Sequence, residues 1–379
     1  MKKLLLSFIV LLACPKLSAQ VTSEAFNSQK MNETRRIAIY TPEGYDRKQT
    51  YPLLVVLDAD HLMEPVIANA RYYDYFQDMP DCIIVGVYNE QDDVHIDENI
   101  GFPMNETAQF FEFIGGELVP YIEGKYSTNK FRGIIATNES ANFANYFLLK
   151  GNSIFNAYLS VNPTPIQGIN ESVAEQLRIT PQNIFYYMAT SDLSPEKAYA
   201  GTQDLNSQIR SKSTSETADY YFEDFKGASP NAVVLTSIPR AFDLLFDSYK
   251  PISVKEHKEN IQPLSENIFD YIKNKYSTIE KKLNIKKKPL MNDIMAVYSV
   301  IVRKKDWDSL LLLSEFVTDN GYKDTAMPSF FLAEYYEEIG EPKKSLRAYQ
   351  KAYTQAPIDF ITTDLINERI NALKADFGF

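Results

Sequence analysis

The chain has 379 residues, a length that favours two domains over one. Hydrophobic residues make up 45% and charged residues 23% of the chain, a composition that supports a packed core and excludes a disordered tail protein, a collagen and a multi-span membrane protein. The formal net charge of -11 argues against a nucleic-acid partner, which would need clustered lysine and arginine, and 3 histidines with 2 cysteines exclude a cysteine-based zinc module and a disulfide-built scaffold.

The amino-terminal segment has the features of a targeting sequence. Lys2 and Lys3 precede an apolar stretch, residues 4–13, that is too short to span a bilayer. Small residues follow and end at Ala19, where they offer a cleavage site. This pattern predicts a secretory signal peptide over residues 1–19, and therefore a mature chain that is soluble in the periplasm.

A second interpretation of the same segment is a bacterial lipoprotein. Residues 11–14 resemble a lipoprotein box that ends at Cys14, although Pro15 directly after the cysteine makes lipid attachment less favourable. Anchoring through Cys14 therefore stays the alternative. Cleavage after Ala19 would leave Cys82 as the only cysteine, so no internal disulfide is expected.

From residue 31 onward, short β-rich runs alternate with helical stretches. Apolar residues recur at helical spacing over 107–121 and 141–149. The runs predicted as strands are 36–40, 52–57, 82–87, 133–136, 158–161, 184–189 and 220–225. Strands that alternate with helices predict an α/β domain, a doubly wound parallel sheet with helices on both faces, over residues 20–250.

The character of the chain changes near residue 250. From residue 261 onward the pattern is helical, with no β-rich run. The lysine-rich segment 281–288 is typical of a solvated linker or helix end. We expect a helical linker over 251–286 and an all-α domain over 287–379.

The last part of the chain carries a repeat pattern. Ala333, Gly340, Ser345 and Pro357 have the spacing of one tetratricopeptide unit, with small residues where two helices pack and glycine at the turn. A weaker copy lies roughly one 34-residue period upstream, over 292–317. The shared core of the last pair is predicted to hold Leu332, Ala333, Tyr349 and Ala352. A generic helical bundle is the alternative.

Four segments together carry a family resemblance. They are RIAIYTPEGY at 36–45, YPLLVVLD at 51–58, ELVPYI at 117–122 and FNAY at 155–158. In this order they resemble the putative esterase family of α/β hydrolases, whose relatives include enterobactin esterases and S-formylglutathione hydrolases. The resemblance covers roughly residues 30 to 250 and implies the α/β-hydrolase fold. A subset of that family ends in tetratricopeptide-like repeats, as expected here for 287–379.

The family resemblance also implies where the nucleophile would lie, and there the chain departs from the pattern. Such enzymes carry Gly-x-Ser-x-Gly at a strained turn between a strand and a helix. After the strand 133–136, the first glycine corresponds to Ala136, the nucleophilic serine to Asn138 and the second glycine to Ser140. Asparagine tolerates left-handed backbone angles, so Asn138 fits the turn, but an amide nitrogen is not a useful nucleophile for acyl transfer.

The other members of the implied site are also altered. Pro230 stands where the resemblance places the histidine base, and proline cannot accept a proton. Asp192 is the best candidate for the third, acidic member, and without a histidine to orient it is expected to serve as a turn or capping residue. The resemblance further implies oxyanion donors from the backbone near Ala59 and Asp60, with Glu139 at the pocket.

Several residues could in principle replace the lost groups. Ser140 is the fallback nucleophile, but we expect it to point away from the carboxyl edge of the sheet and to lack a base. His61, His95 and His257 lie outside the pattern and are expected to be solvated or structural. The acidic loop 90–98 could bind a hard cation weakly, but a solvated loop is the favoured interpretation, so no metal and no cofactor are expected.

The size of the expected loss in catalytic rate favours an inactive protein. Loss of either serine or histidine from a working triad costs about 10⁶ in rate, and both are replaced here. The sequence therefore predicts a secreted pseudo-esterase that acts by binding an unknown protein, peptide or small molecule, either in the vestigial pocket or on the helical repeats. The alternative is an active carboxylic-ester or thioester hydrolase with a non-standard site.

Overall fold

The structure is a computed structural model that describes residues 20–166 and 168–379, divided into two compact units. The first unit ends at Leu245 and the second spans Phe246–Phe379, so the boundary lies before the predicted residue 250. The predicted signal peptide and the alternative lipid site at Cys14 lie outside the described residues. Cys82 is a buried free thiol. No helix in the described ranges has the length and apolar character needed to cross a membrane.

An eight-stranded sheet forms the centre of the first unit. Its strands are β1 (Val21–Ser28), β2 (Glu33–Tyr40), β3 (Tyr51–Val56), β4 (Ile83–Val87), β5 (Thr128–Thr137), β6 (Ala157–Val161), β7 (Ile184–Thr190) and β8 (Ala218–Asp224). The spatial order is β1-β2-β4-β3-β5-β6-β7-β8, parallel from β4 to β8 and antiparallel at β1 and β2. This mixed architecture confirms the predicted α/β class of the first domain, but the prediction of a parallel sheet is wrong at β2, which pairs antiparallel with both of its neighbours.

The apolar sequence pattern predicted the strands that are buried on both faces. Strands β3, β4, β6 and β7 are buried along their whole length, and they are the runs that are continuously apolar in sequence. Strand β1 was not predicted. It is an edge strand with an alternating, mostly polar sequence, so it carries no apolar run, and its pairing with β2 depends on the tertiary structure.

Helices flank the sheet on the connections between strands. They are α1 (Ala59–Tyr75), α2 (Gln91–Val94), α3 (Asn105–Phe113), α4 (Val119–Lys125), α5 (Asn138–Leu148), α6 (Ile169–Ile179), α7 (Glu196–Lys212) and α8 (Pro230–Leu245), with a π-helical turn at Ile114–Leu118 joining α3 to α4. Gly86 lets α1 approach β4 closely, because a Cβ there would lie 2.8 Å from the Cβ of Ala59. This contact fixes the start of α1 against the carboxyl end of the sheet.

The carboxyl edge of the sheet has a repeated backbone feature. Asn138 and Asn162 directly follow β5 and β6, and Asp58 lies two residues after the end of β3; the φ angles of Asp58, Asn138 and Asn162 are 55°, 48° and 47°. Asparagine and aspartate are the non-glycine residues that best tolerate this left-handed region. Each of these turns therefore redirects the chain sharply at the edge where ligands bind in sheets of this type.

The named elements of the second unit are all helical. They are α9 (Val254–Glu256), α10 (Phe269–Leu283), α11 (Met291–Lys304), α12 (Trp307–Val317), α13 (Ala326–Glu338), α14 (Pro342–Tyr353) and α15 (Thr363–Phe377), with short turns at Asp247–Tyr249, His257–Ile261 and Thr318–Tyr322. These bounds agree with the helical pattern expected from residue 261 onward.

Helices α13 and α14 form a close antiparallel pair around a turn at Gly340, whose φ is 77°. The Ser345 hydroxyl donates to the Ala333 carbonyl at 2.9 Å, and the ring centres of Phe330 and Tyr349 are 5.6 Å apart. Ala333, Tyr349 and Ala352 are fully buried. Leu332, which was expected to share this core, is only half-buried, because Phe330 and Phe331 on the same helix fill the buried face.

The predicted linker 251–286 is part of the second unit. Helix α10 lies within it and buries one face, formed by Phe269, Ile272, Tyr276, Ile279 and Leu283. The fully buried carboxylate of Asp293 on α11 accepts from the Ile252 backbone N–H at 2.7 Å and from the Tyr276 hydroxyl at 2.8 Å. The lysine-rich end of α10 made the segment look solvated, whereas its apolar residues recur at helical spacing.

Candidate functional site

Asn138 occupies the turn between β5 and α5. Strand β5 ends at Thr137, and Asn138 opens α5 with a φ of 48° and an exposed side chain. Its backbone carbonyl accepts from the Thr164 N–H, which follows β6, at 3.3 Å. A left-handed residue between a strand and a helix is the backbone geometry that presents the nucleophile in α/β hydrolases. Here that geometry presents a carboxamide.

Ser140 is placed differently from the sequence-based expectation. It is 3% exposed, and its Oγ donates to Asp58 Oδ1 at 2.6 Å and accepts from Asn89 Nδ2 at 3.3 Å. The prediction that Ser140 points away from the carboxyl edge of the sheet is wrong, because its hydroxyl bonds the residue that follows the buried end of β3. Because α5 begins at Asn138, Ser140 lies in the first turn of the helix, on the side that faces the end of β3.

The carboxylate of Asp58 is the centre of this hydrogen-bond network. Oδ2 accepts from the Thr137 hydroxyl at 2.8 Å and from the Thr137 N–H at 3.3 Å. Oδ1 accepts from Asn89 Nδ2 at 2.9 Å, and the Asp58 N–H donates to Asn89 Oδ1 at 2.7 Å. Asp58 thus joins the ends of β3, β4 and β5. A carboxylate that already accepts four hydrogen bonds fixes the turn and is poorly suited to remove a proton from Ser140.

The candidate oxyanion donors lie beside this network. Ala59 is buried and Asp60 is exposed, and both belong to the first turn of α1. The first N–H groups of a helix have no intrahelical acceptor, so they remain able to donate to a ligand. His61 lies at the same place, exposed, with Nδ1 3.1 Å from Asp60 Oδ1.

The loops that would carry the acid and the base are joined to each other. Asp192 Oδ1 accepts from the Gly227 N–H at 2.7 Å, and Ser191 Oγ donates to the Ala228 carbonyl at 2.6 Å. Pro230 is the first residue of α8, and its carbonyl accepts from Asn162 Nδ2 at 3.1 Å. Asp192 therefore stabilises the loop after β8, and Pro230 has the position that proline favours at a helix start.

Sequence reasoning missed the position of His95. Its Nδ1 lies 3.3 Å from Oε2 of Glu139, the residue directly after Asn138, although the two are 44 residues apart in sequence. The His95 carbonyl accepts from the Thr107 hydroxyl at 2.7 Å, which holds the loop in place. His95 is thus the histidine that comes next to the turn, and the acidic composition of its loop gave no indication of this.

The acidic loop around His95 is organised by pairing. The Asp93 side chain is buried and forms an ion pair with Arg35, and it also accepts from the Glu90 N–H at 2.7 Å. Burial raises the pKa of Asp93, while Arg35 and the Glu90 N–H act in the opposite direction. Over residues 20–166 and 168–379, histidine, cysteine and acidic side chains form no group of three suited to hold a metal ion.

A cavity of about 290 Å³ lies beside the Asn138 turn. Its walls come from the loop 94–98, from α5 at Glu139 and Asn142, from residues 164–166 after β6 and from residues 195–198 at the start of α7. Glu139 is the predicted site residue that lines it. The other predicted positions, at Asn138, Ser140, Asp192 and Pro230, lie along the same edge of the sheet outside the cavity lining.

Two residues that line this cavity, Asn142 and Thr164, each have a buried side-chain oxygen without a hydrogen-bond partner among the described residues. Asn142 is 4% exposed, and the two atoms are Asn142 Oδ1 and Thr164 Oγ1. At the rim, His95 faces Glu139, and Lys197 forms an ion pair with Glu98. The residues that line the cavity therefore include two with buried side-chain oxygens and several with charged groups.

Comparisons with known proteins agree with the fold. The model of the family described as "Putative esterase" matches residues 28–155. No curated protein matches the chain. The crystal structure of a protein from Capnocytophaga ochracea DSM 7271, described as uncharacterised, is 48% identical, covers 94% of this chain and 100% of its own, and has a TM-score of 0.92.

Two further crystal structures are similar in fold at low identity. An IroE-like serine hydrolase from Shewanella oneidensis is 18% identical, with a TM-score of 0.58 over 79% of this chain and 99% of its own. The BES protein from Bacillus cereus is 19% identical, with a TM-score of 0.51 over 60% of this chain and 95% of its own.

Proposed function

We propose that this chain, whose residues 28–155 match the family described as "Putative esterase", is a pseudo-esterase, which keeps the hydrolase frame and acts by binding rather than by catalysis. The observation that supports this most is Asn138, an asparagine in the left-handed turn after β5. A carboxamide cannot form the acyl-enzyme intermediate that a serine forms at this turn.

The groups that would transfer the proton are also missing from the positions where the family resemblance places them. Pro230 opens α8 where the base would lie, and the Asp192 carboxylate is occupied by the Gly227 N–H. Loss of one triad member costs about 10⁶ in rate and leaves about 10³–10⁴ over water from binding and oxyanion stabilisation. With both ends of the proton transfer replaced, hydrolysis by this mechanism is negligible.

The test is turnover by the purified mature chain. We expect p-nitrophenyl acetate and a short acyl thioester to be hydrolysed no faster than in buffer, and a fluorophosphonate probe to label no serine. Robust turnover that the probe blocks, with a labelled serine identified by mass spectrometry, would contradict the proposal and make this an esterase.

A second candidate function has one supporting observation. The His95–Glu139 pair next to the turn resembles a base with an orienting carboxylate, and such a pair can activate water without a serine. An ester hydrolysis that resists fluorophosphonate and is lost in both His95→Gln and Glu139→Gln would favour this non-standard hydrolase. Glu106→Gln, which removes a carboxylate from exposed Glu106 on α3, is the matched control.

The proposal includes secretion into the periplasm as a soluble protein, supported by the lysines, the apolar stretch and the small residues that end at Ala19. Intact-mass measurement of the protein from its host tests it. A mass that begins at Gln20 agrees with the proposal. A diacyl or triacyl adduct on Cys14 would instead indicate a lipoprotein.

We further propose that the helices from residue 287 onward are tetratricopeptide-like and bind a protein or peptide. Supporting this are the two helix pairs, α11 with α12 and α13 with α14, and the small residues Ala333 and Ser345 at the closest approach of the second pair. Stacked pairs of this kind present extended surfaces for partners.

A further inference from the structure

We propose that a groove along α3 and α5 binds a medium-chain fatty acid, a carboxylate on an unbranched hydrocarbon chain. Two adjoining cavities of about 350 and 410 Å³ form this groove, and both are lined by Phe111, Glu112 and Lys150. Each has the size of a ligand pocket, roughly 300–1,000 Å³. The groove is separate from the Asn138 turn, because Phe147, which lines it, lies about 13 Å further along α5. Binding here therefore does not depend on whether the chain hydrolyses esters.

The walls of the groove are mainly apolar. Phe111 is half-buried and stacks on Phe147, with ring centres 4.1 Å apart. Phe102, at the end formed by the loop before α3, is 67% exposed. A hydrocarbon chain bound in the groove would remove this apolar surface from water, which is favourable. The other apolar residues of the lining are Pro103, Ala108, Leu149 and Ile154.

Two glycines line the groove although neither is required by the backbone or by internal packing. Gly115 and Gly116 lie in the π-helical turn between α3 and α4, and neither has a positive φ. A Cβ on Gly116 would meet no described atom within 4 Å, and one on Gly115 would lie at ordinary contact distance, 3.5 Å, from Ile154. Glycine destabilises a helix relative to alanine. Its presence here is explained if a ligand comes close to the backbone, and π-helical turns are frequent at functional sites.

The charged groups of the groove leave one ammonium unpaired. Glu112 contacts the Lys30 ammonium at 2.6 Å, and both side chains are exposed. Lys150 is also exposed, and it forms no ion pair with the part of the chain that the structure describes. Its Nζ lies 5.3 Å from the centre of the Phe111 ring, which lines both cavities. The lining therefore has an excess of one positive charge, next to an apolar wall.

Asn152 adds a second hydrogen-bond donor. It is exposed and lines the cavity of about 350 Å³ together with Lys150. Its Oδ1 accepts from Gln182 Nε2 at 2.9 Å, so the group that remains available is the amide nitrogen with its two N–H bonds. An ammonium and an amide N–H are matched by an acceptor with a single negative charge. A carboxylate on a hydrocarbon chain provides that acceptor and fills the apolar part of the groove.

The experiment compares octanoate, octanol and octylamine, which share one hydrocarbon chain, by titration into the purified full chain and ligand-observed NMR. We expect octanoate to bind about threefold more tightly than octanol, the gain of an exposed ion pair, although the net charge of -11 disfavours anions in general. Hexanoate should bind at least about threefold more weakly than octanoate, because each buried methylene adds up to about fourfold. No binding of octanoate, equal binding of hexanoate, or octylamine as tight as octanoate would overturn the inference.

A glycine variant locates the hydrocarbon chain. Gly116→Leu places a side chain where a Cβ has open space, so it should weaken octanoate and octanol alike, by about tenfold. Leucine is the better helix former, so thermal unfolding should not be lowered. Gly124→Leu is the matched control, because Gly124 is an exposed glycine on α4 that also has open space and does not line the groove. Unchanged affinities in a folded Gly116→Leu chain would contradict the site.

A lysine variant locates the carboxylate. Lys150→Gln should weaken octanoate about threefold and leave octanol unchanged, because only the charged ligand loses a partner. Lys130→Gln makes the same charge change at an exposed position on β5, outside the groove, and should affect neither ligand. Equal effects of the two lysine variants on octanoate would show that the preference comes from net charge and would refute the role of Lys150.

Discussion

Ser140 donates its hydroxyl proton to the carboxylate of Asp58 at 2.6 Å, and this bond ties the first turn of α5 to the end of β3. In an esterase the corresponding position is expected to be a glycine, which packs closely and makes no side-chain bond. Here a serine and an aspartate fill the space next to the turn. The serine that looked like a fallback nucleophile is therefore part of the internal support of the site.

The bond between Ser140 and Asp58 should be measurable as a coupling energy. We expect Ser140→Ala and Asp58→Asn each to lower the free energy of unfolding by about 1–3 kcal/mol, because each leaves a buried polar group short of a partner. In a double-mutant cycle by urea unfolding, their effects should be non-additive by at least about 0.5 kcal/mol. Strict additivity would show that the two side chains do not interact in solution.

The left-handed backbone at Asn138 should affect how substitutions there change the free energy of unfolding. With φ at 48°, Asn138→Gly should leave the free energy of unfolding unchanged or slightly raised, whereas Asn138→Val should lower it by roughly 1–2 kcal/mol. The matched control is Asn99→Val, at an exposed asparagine whose φ is not positive. Equal effects of valine at the two sites would mean that the turn at Asn138 is not strained.

Restoring the nucleophile alone should not restore catalysis. Asn138→Ser places a hydroxyl at the turn, but Pro230 supplies no base, so we expect ester turnover to stay at the background rate. Adding Pro230→His gives the hydroxyl a candidate base that Asp192 could orient once released from Gly227. Turnover by Asn138→Ser alone would show that a base is already present. His95 would then be the first residue to test by mutation.

The packing of α13 against α14 has its own test. Ala352 is fully buried on α14, so Ala352→Arg would force a charged group into the pair and should make the chain markedly more sensitive to limited proteolysis after residue 287. Lys351→Arg, at the exposed neighbouring position, is the control and should digest like the wild type. Equal resistance of the Ala352→Arg chain would contradict the repeat interpretation.

Glu334 gives the second unit a predictable pH dependence. Burial raises its pKa from 4.5 to about 7, while the Tyr298 hydroxyl at 2.7 Å and Arg369 act in the opposite direction. Glu337 and Glu338, one turn further along the same helix, raise it further. Between pH 4.5 and about 7, Glu334 is therefore protonated in the folded unit and ionised in the unfolded chain.

The sign of the effect follows from that proton. The contribution of Glu334 to stability is most favourable below pH 4.5 and is lost as the pH rises towards 7, by up to about 3 kcal/mol. Urea unfolding should show Glu334→Gln more stable than the wild type at pH 8 and similar to it at pH 5. Glu368→Gln, at an exposed position on α15 that is not among the groups acting on Glu334, should shift neither value. A pH-independent difference between Glu334→Gln and the wild type would contradict the prediction.

Local sequence patterns were sufficient for most of the first unit. Continuous apolar runs marked β3, β4, β6 and β7, because these strands are buried on both faces and every position must be apolar. Edge strand β1 was missed as an element, and helix α10 was predicted as part of a helical linker and not as part of a packed core. In both, the polar surface that faces solvent dominates the local composition, and only the partner strand or helix identifies the buried side.

The sequence by itself determined that an asparagine follows β5 and that a proline opens α8, the positions where the family resemblance implies the nucleophile and the base. The tertiary structure alone decided that Ser140 bonds Asp58, that His95 meets Glu139, and that Asn142 and Thr164 share one cavity. Each of these relationships joins separate segments that become neighbours when the parallel strands align their carboxyl ends. The periodicity of the sequence does not predict these contacts, because the contacts depend on the order of the strands in the sheet.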